Sequence, residues 1–161
     1  MGRFEPFRYE DGRPMLLGGL RGYHAFSESE RSIPEQWERF RSLGPIPGQR
    51  GEATYGVVCG HDANGFEYMC GVEVSSFDAL PSDMGRVRIT AQHYAVFLHH
   101  GHVSAIRTTW ERILHEWLPS GGFQSAERPD FEIYDHRFDP RTGLGDVEIW
   151  VSISRENNLS G

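Results

Sequence analysis

Val72-Glu73-Val74 and Val147-Glu148-Ile149 are the two triplets from which this chain is best read. Each closes a segment with strand character, and each follows a tryptophan at nearly the same distance, Trp37 by 36 residues and Trp110 by 38. Upstream of the first triplet, Tyr55 to Cys59 and Phe66 to Val74 form apolar runs. They are joined by His61-Asp62-Ala63-Asn64-Gly65, whose Asn-Gly pair signals a hairpin. Further upstream, Ser32-Ile33-Pro34-Glu35 has the form of a capping box with proline in the first helical turn. Ile33, Trp37 and Phe40 then recur at helical spacing, and Met15 to Leu20 supplies a strand ahead of that helix.

The same order follows a second time. Val87 to Leu98 has strand character, and Ser104 can cap a helix whose apolar face is Ile106, Trp110, Ile113 and Trp117. Pro119 and Gly121-Gly122 stop that helix. Phe131 to Tyr134 and Val147 to Ile153 complete the set. The expectation is a duplicated strand-helix-strand-strand unit, with half-units about 13–77 and 84–154 linked through Leu80-Pro81-Ser82-Asp83-Met84-Gly85. Neither half is long enough to stand alone, so both should share one core in a single domain over 1–161.

Composition narrows the chemistry. The 161 residues include 16 basic and 23 acidic side chains, a net charge of −7, and every basic one is Arg. Without Lys there is no phosphate-loop lysine, no Schiff base and no lysine general base. An acidic chain without a basic run argues against direct nucleic-acid binding and favours cationic small molecules. No apolar run is long enough for a membrane span, and the amino terminus lacks a secretory pattern, so a cytoplasmic protein is expected. Cys59 and Cys70 flank the hairpin turn and are expected as free thiols.

Strand parity marks the candidate site. Phe131 and Ile133 fall on one face, Glu132 and Tyr134 on the other. Val147, Ile149, Val151 and Ile153 share a face opposite Glu148, Trp150 and Ser152. If the aliphatic sides meet the helices, Glu132, Tyr134, Glu148 and Trp150 share a second surface, where carboxylates among aromatic rings suit an organic cation. The same alternation also describes a solvated sheet face, and spacing does not separate the two; Glu73 has the same two readings. His99-His100-Gly101-His102 lacks partner cysteines or an HExxH helix and lies at the end of a strand beside a glycine turn; it is expected as an exposed turn of histidines, so no metal or cofactor is expected. There is no Gly-x-Ser-x-Gly elbow, and the Gly18-Gly19 and Gly121-Gly122 pairs read as turns.

Across nearly its whole length the chain resembles the GyrI-like effector-binding family, the small-molecule module also found at the carboxyl end of AraC-type and MerR-type regulators. The resemblance is carried by Ile33-Pro34-Glu35-Gln36-Trp37, Tyr55-Gly56-Val57 and Phe66-Glu67-Tyr68-Met69-Cys70-Gly71-Val72-Glu73-Val74. In the second half it is carried by Tyr94-Ala95-Val96-Phe97 through Gly101, Trp117-Leu118-Pro119, Pro129-Asp130-Phe131-Glu132-Ile133-Tyr134 and Val147-Glu148-Ile149-Trp150-Val151. It implies an α+β fold with pseudo-two-fold halves whose antiparallel sheets form a concave ligand groove. It also implies that Glu132 meets the ligand, with Tyr68, Trp117, Tyr134 and Trp150 as aromatic walls. Ser152 departs from the pattern, which often has proline there, and this should alter only the rim.

The function expected is a stand-alone, regulator-like binding module for hydrophobic or amphipathic, cationic or aromatic small molecules. Some relatives instead hydrolyse cyclopropanoid compounds with a groove acid, and some inhibit DNA gyrase. A small-molecule hydrolase and a gyrase or regulator partner therefore stand as alternatives.

Overall fold

A computed structural model describes residues 4–120 and 122–155. Gly121 of the expected helix stop, and both chain ends of the expected domain, lie outside them. The order is β1 (Arg8–Asp11), β2 (Met15–Ala25), helix α1 (Ser29–Arg41), β3 (Gln49–His61), β4 (Gly65–Val74), β5 (Gly85–Ile89) and β6 (His93–His102). Helix α2 (Ile106–Arg112) continues through a π-helical stretch, Ile113–Trp117, and a last turn, Leu118–Ser120. The chain ends in β7 (Phe123–Ser125), β8 (Asp130–Tyr134), β9 (Phe138–Asp139) and β10 (Leu144–Arg155).

All strand pairs among the described residues are antiparallel, in the order β1-β6-β10-β8-β3-β4-β2-β5, with β7 and β9 added on β10. The sheet curls strongly. Met15, Val87 and Ile89 at one end pack in one cluster with Tyr94, Val96 and Phe131 from the other. The opposite face carries the helices. Phe40, Ile33 and Trp37 of α1 cover Tyr68, Cys70 and Val72, while Ile106, Trp110, Ile113 and Trp117 cover Ala95, Phe97, Ile149 and Val151. Full burial of Phe40, Ile113 and Trp117 contributes roughly 1.5–3 kcal/mol each, and the half-buried Ile33, Trp37, Ile106 and Trp110 less, so both helices are fixed mainly by these stripes. The expected apolar faces are therefore the ones used.

Several local expectations are corrected. Helix α1 begins at Ser29, a turn before the Ser32 box, and no side chain caps it. The Ser32 hydroxyl is engaged instead by His24 Nδ1 at 2.6 Å, which removes it from capping duty. Val87 to Leu98 is two strands at distant places in the sheet, β5 beside β2 and β6 beside β10. The histidine run lies at the end of β6 with His100 and His102 exposed, as expected, and only His99 departs from an exposed turn. His99 is buried between Thr109 Oγ1 and the His102 carbonyl, and His102 accepts the Ser104 N–H. Cys59 and Cys70 are free thiols, and burial pushes the Cys59 thiol up to about 11, so neither is a ready nucleophile.

The correction that matters most for function concerns the phase between strands. Glu132 is paired with Ile149, and Phe131 with Trp150. Residues directly opposite in an antiparallel pair point to the same side. Parity holds within each strand, yet Glu132 and Tyr134 lie on the helix side of the sheet, while Glu148 and Trp150 lie on the other.

Candidate functional site

At the centre of β8, Glu132 is only 4% exposed. Its Oε1 accepts hydrogen bonds from the Tyr68 hydroxyl at 2.6 Å and the Tyr134 hydroxyl at 2.7 Å. Its Oε2 accepts the Trp110 indole N–H at 2.8 Å. Tyr68 Oη in turn accepts the Trp37 indole N–H at 3.2 Å. One carboxylate thus ties β8 to β4 and α2, and through Tyr68 to α1. Gly56 lies opposite Glu132 on β3, and any side chain there would overlap the Tyr68 hydroxyl and the carboxylate. Its missing Cβ is what lets the two meet.

Burial raises the Glu132 carboxyl above its ordinary range, and the bonds from Tyr68, Trp110 and Tyr134 pull it only part of the way back. Burial and the adjacent Glu132 charge push both tyrosine hydroxyls well up, keeping them as protonated donors. The cluster is a satisfied, largely desolvated anion with no cationic side chain bonded to it among the described residues.

A groove of about 1450 Å³ opens over this cluster, between α1 and α2. Ile33, Trp37, Ile106, Trp110 and Leu114 form its helical walls; Val58, Tyr68, Glu132 and Tyr134 form its floor. Trp37 and Tyr134 meet edge to face at 5.0 Å between centroids. The carboxylates lining it are Glu30, Glu52, Glu111, Asp130, Glu132 and Asp135, against the guanidinium groups of Arg41 and Arg107. Glu30 and Arg107 approach to 3.6 Å, one from each helix. A concave, aromatic-lined site of this size accommodates a drug-sized molecule.

The structure brings three of the sequence-predicted residues together here: Glu132, Tyr134 and Tyr68. Trp117 is in the core beneath the second helix, against Phe97 at 5.0 Å. Trp150 stacks on Phe131 at 5.5 Å on the far face of the sheet. Glu148 lies on that far face too, held by a bidentate pair with Arg8 at 3.0 Å and by Arg137 and Trp150. Burial opposes its ionisation, but those donors prevail and its carboxyl is lowered. Glu73 is locked to Arg13 at 2.6 and 2.8 Å, which lowers its carboxyl. Trp110, Trp37 and Gly56 were not singled out as ligand-site residues. The matching positions of Trp37 and Trp110 ahead of the two Val-Glu triplets were the available signal for the first two.

The fold and groove define a small-molecule-binding class of protein. The chain matches the GyrI-like small molecule binding domain over residues 6–154 and belongs to that family. It is 34% identical over 126 residues to the transcriptional regulator BrlR of Pseudomonas aeruginosa, covering 76% of this chain and 46% of that regulator, so it spans about half the relative's length. The fold is shared with SAV2435, solved bound to tetraphenylphosphonium, at TM-score 0.74 and 18% identity over 91% of this chain and 93% of that one. It is also shared with EcmrR in an EcmrR–DNA complex, at TM-score 0.66 and 14% identity over 92% of this chain and 57% of that one.

Proposed function

We propose that this domain binds amphipathic organic cations in the groove between α1 and α2, with Glu132 as the charge partner and Trp37, Tyr68, Trp110 and Tyr134 as the aromatic walls. The observation that carries this reading is the buried Glu132 carboxylate, which lines the groove with three neutral donors and no bonded cation among the described residues. Burying an anion without a counter-charge is costly, and a bound cation offsets that cost in a low-dielectric site. Aromatic faces add attraction worth about 0.5–2 kcal/mol each. The phosphonium bound by SAV2435 has this chemistry and makes a suitable probe.

The module reading takes the site as an effector pocket, in a chain whose two helix-bearing halves arise from duplication. Transmission of the binding event to DNA or to another protein would fall to a partner or a further domain. Hydrolysis, the alternative drawn from the family resemblance, uses the same carboxylate, and no feature of this groove favours it over binding.

The test is a titration with tetraphenylphosphonium, followed by tryptophan fluorescence, on the wild type and Glu132→Gln. Loss of the charge should weaken binding by about tenfold or more. An unchanged affinity in the variant would overturn the charge-pairing account.

A further inference from the structure

His99, on β6, is only 4% exposed, and both of its ring nitrogens are engaged. Nε2 lies 2.9 Å from the His102 carbonyl, and Nδ1 lies 2.7 Å from the Thr109 hydroxyl. A carbonyl only accepts, so Nε2 carries a proton, and Nδ1 of the neutral ring accepts the Thr109 hydroxyl. The imidazole therefore spans the connection from strand to helix. One nitrogen holds the last residue of β6; the other holds Thr109, early in α2.

Packing alone leaves the rotation of α2 loosely set. Ile106–Arg112 contains no fully buried residue, no side chain caps its start, and it runs straight into the π-helical stretch. Successive helix residues are turned by about 100°, so fixing the Thr109 side chain fixes the direction of its neighbour Trp110. That direction matters, because the Trp110 indole N–H reaches Glu132 Oε2 at 2.8 Å. Neither His99 nor Thr109 lines the groove, so their influence on a ligand passes through such a neighbour.

Other residues hold the first helix in the same manner. His24, near the end of β2, is also 4% exposed; its Nδ1 meets the Ser32 hydroxyl at 2.6 Å and its Nε2 meets the Gln36 amide oxygen. The Gln36 amide nitrogen donates to the Leu20 and Tyr68 carbonyls at 2.8 and 3.0 Å. That turns the amide oxygen towards His24 and makes Nε2 the protonated nitrogen here too. Gln36 precedes Trp37, whose indole N–H goes to Tyr68, itself a donor to Glu132. In both helices a buried histidine grips the residue just before a groove tryptophan.

We propose that His99 is a positioning residue of the cation site: through Thr109 it sets the rotation of α2 and keeps the Trp110 indole N–H on Glu132. The inference rests on the cation reading of Glu132 and gives a residue outside the groove a part in its affinity.

Thr109→Val keeps the shape of threonine without its hydroxyl, and Thr109→Ser keeps the hydroxyl. Tetraphenylphosphonium affinity is to be measured by calorimetry on the wild type, both variants and Glu132→Gln, with melting curves to establish folding. Ile113→Val serves as a control that loosens the core packing just beyond α2 without touching the His99–Thr109 bond. Thr109→Val should weaken binding by about threefold, while Thr109→Ser and Ile113→Val bind as the wild type does. The indole N–H resonances of the four tryptophans give a readout that a general loss of stability does not move. In Thr109→Val the Trp110 signal should shift towards that of a free indole, and those of Trp117 and Trp150 should stay in place. His99→Phe should weaken binding similarly, and adding Thr109→Val to it should cause no further loss. Wild-type affinity in Thr109→Val, an unmoved Trp110 signal, or an equal loss in Ile113→Val overturns the role of His99. A wild type that does not bind the phosphonium, or binds it no better than Glu132→Gln, overturns the cation reading itself and the inference with it.

Discussion

The indole of Trp110, on α2, donates its N–H to Glu132 on β8 at 2.8 Å. This is the direct polar link between the second helix and the carboxylate beneath the groove. It makes Trp110 both a wall of the site and a support for its charge. Trp110→Phe keeps most of the ring surface but removes the donor. The Glu132 carboxyl, already raised by burial, should rise further, because a bond favouring its ionised form is gone. Cation affinity at neutral pH should fall about fivefold, the equivalent of one hydrogen bond, and the pH at which binding is half lost on acidification should move upward. Titrations at several pH values check both.

Gly56 predicts a sharper loss. A Cβ at this position overlaps the Tyr68 hydroxyl and Glu132, and both are confined by packing. Gly56→Ala should cost about 1–3 kcal/mol in stability and displace the Tyr68–Glu132 bond. Urea denaturation together with phosphonium titration reports the two effects.

How much of this was legible in the sequence follows from residues such as these. Apolar spacing correctly placed Trp37 and Trp110 on inward helix faces, because a helix's periodicity is local. Parity separated Glu132 from Phe131 for the same reason. The relation between β8 and β10 was not legible: which residue of one strand opposes which of the other is set by pairing across the chain, and a one-residue difference in register moves a side chain to the other face. Glu148 and Trp150 were therefore grouped with Glu132 although they lie behind it. The role of Gly56 was hidden too, since a glycine chosen for close approach looks, in sequence, like any strand glycine.

On that far face, acid should unmake a specific contribution to stability. Glu148 ionises more easily folded than unfolded, because Arg8, Trp150 and Arg137 overcome the effect of burial. A lowered folded pKa gives stability that is present above the unfolded value and lost as pH falls through the folded one. Glu148→Gln should therefore lower the melting temperature at pH 7, by the equivalent of about 2 kcal/mol once the partial exposure of Arg8 is allowed for. The difference from wild type should shrink as the pH drops below the ordinary carboxylate value of 4.5. Thermal melts over a pH series measure it.

Tyr94 offers a gain. Its hydroxyl is buried without a hydrogen-bond partner among the described residues, while its ring is packed edge-on against Phe131 and Trp150 at 5.3 Å. Tyr94→Phe removes only the unpaired group and should stabilise the domain by about 1 kcal/mol, raising the melting temperature by a few degrees. A decrease would mean that the hydroxyl is satisfied in solution.

The central claim is that a cation enters the helix side of the sheet and meets Glu132. A crystal structure with tetraphenylphosphonium locates the charge directly. The account predicts the phosphorus over Glu132, within about 6 Å of the faces of Trp37, Trp110 or Tyr134. Phosphonium density on the opposite face, beside Glu148 and Trp150, with the groove between α1 and α2 left empty, would contradict it.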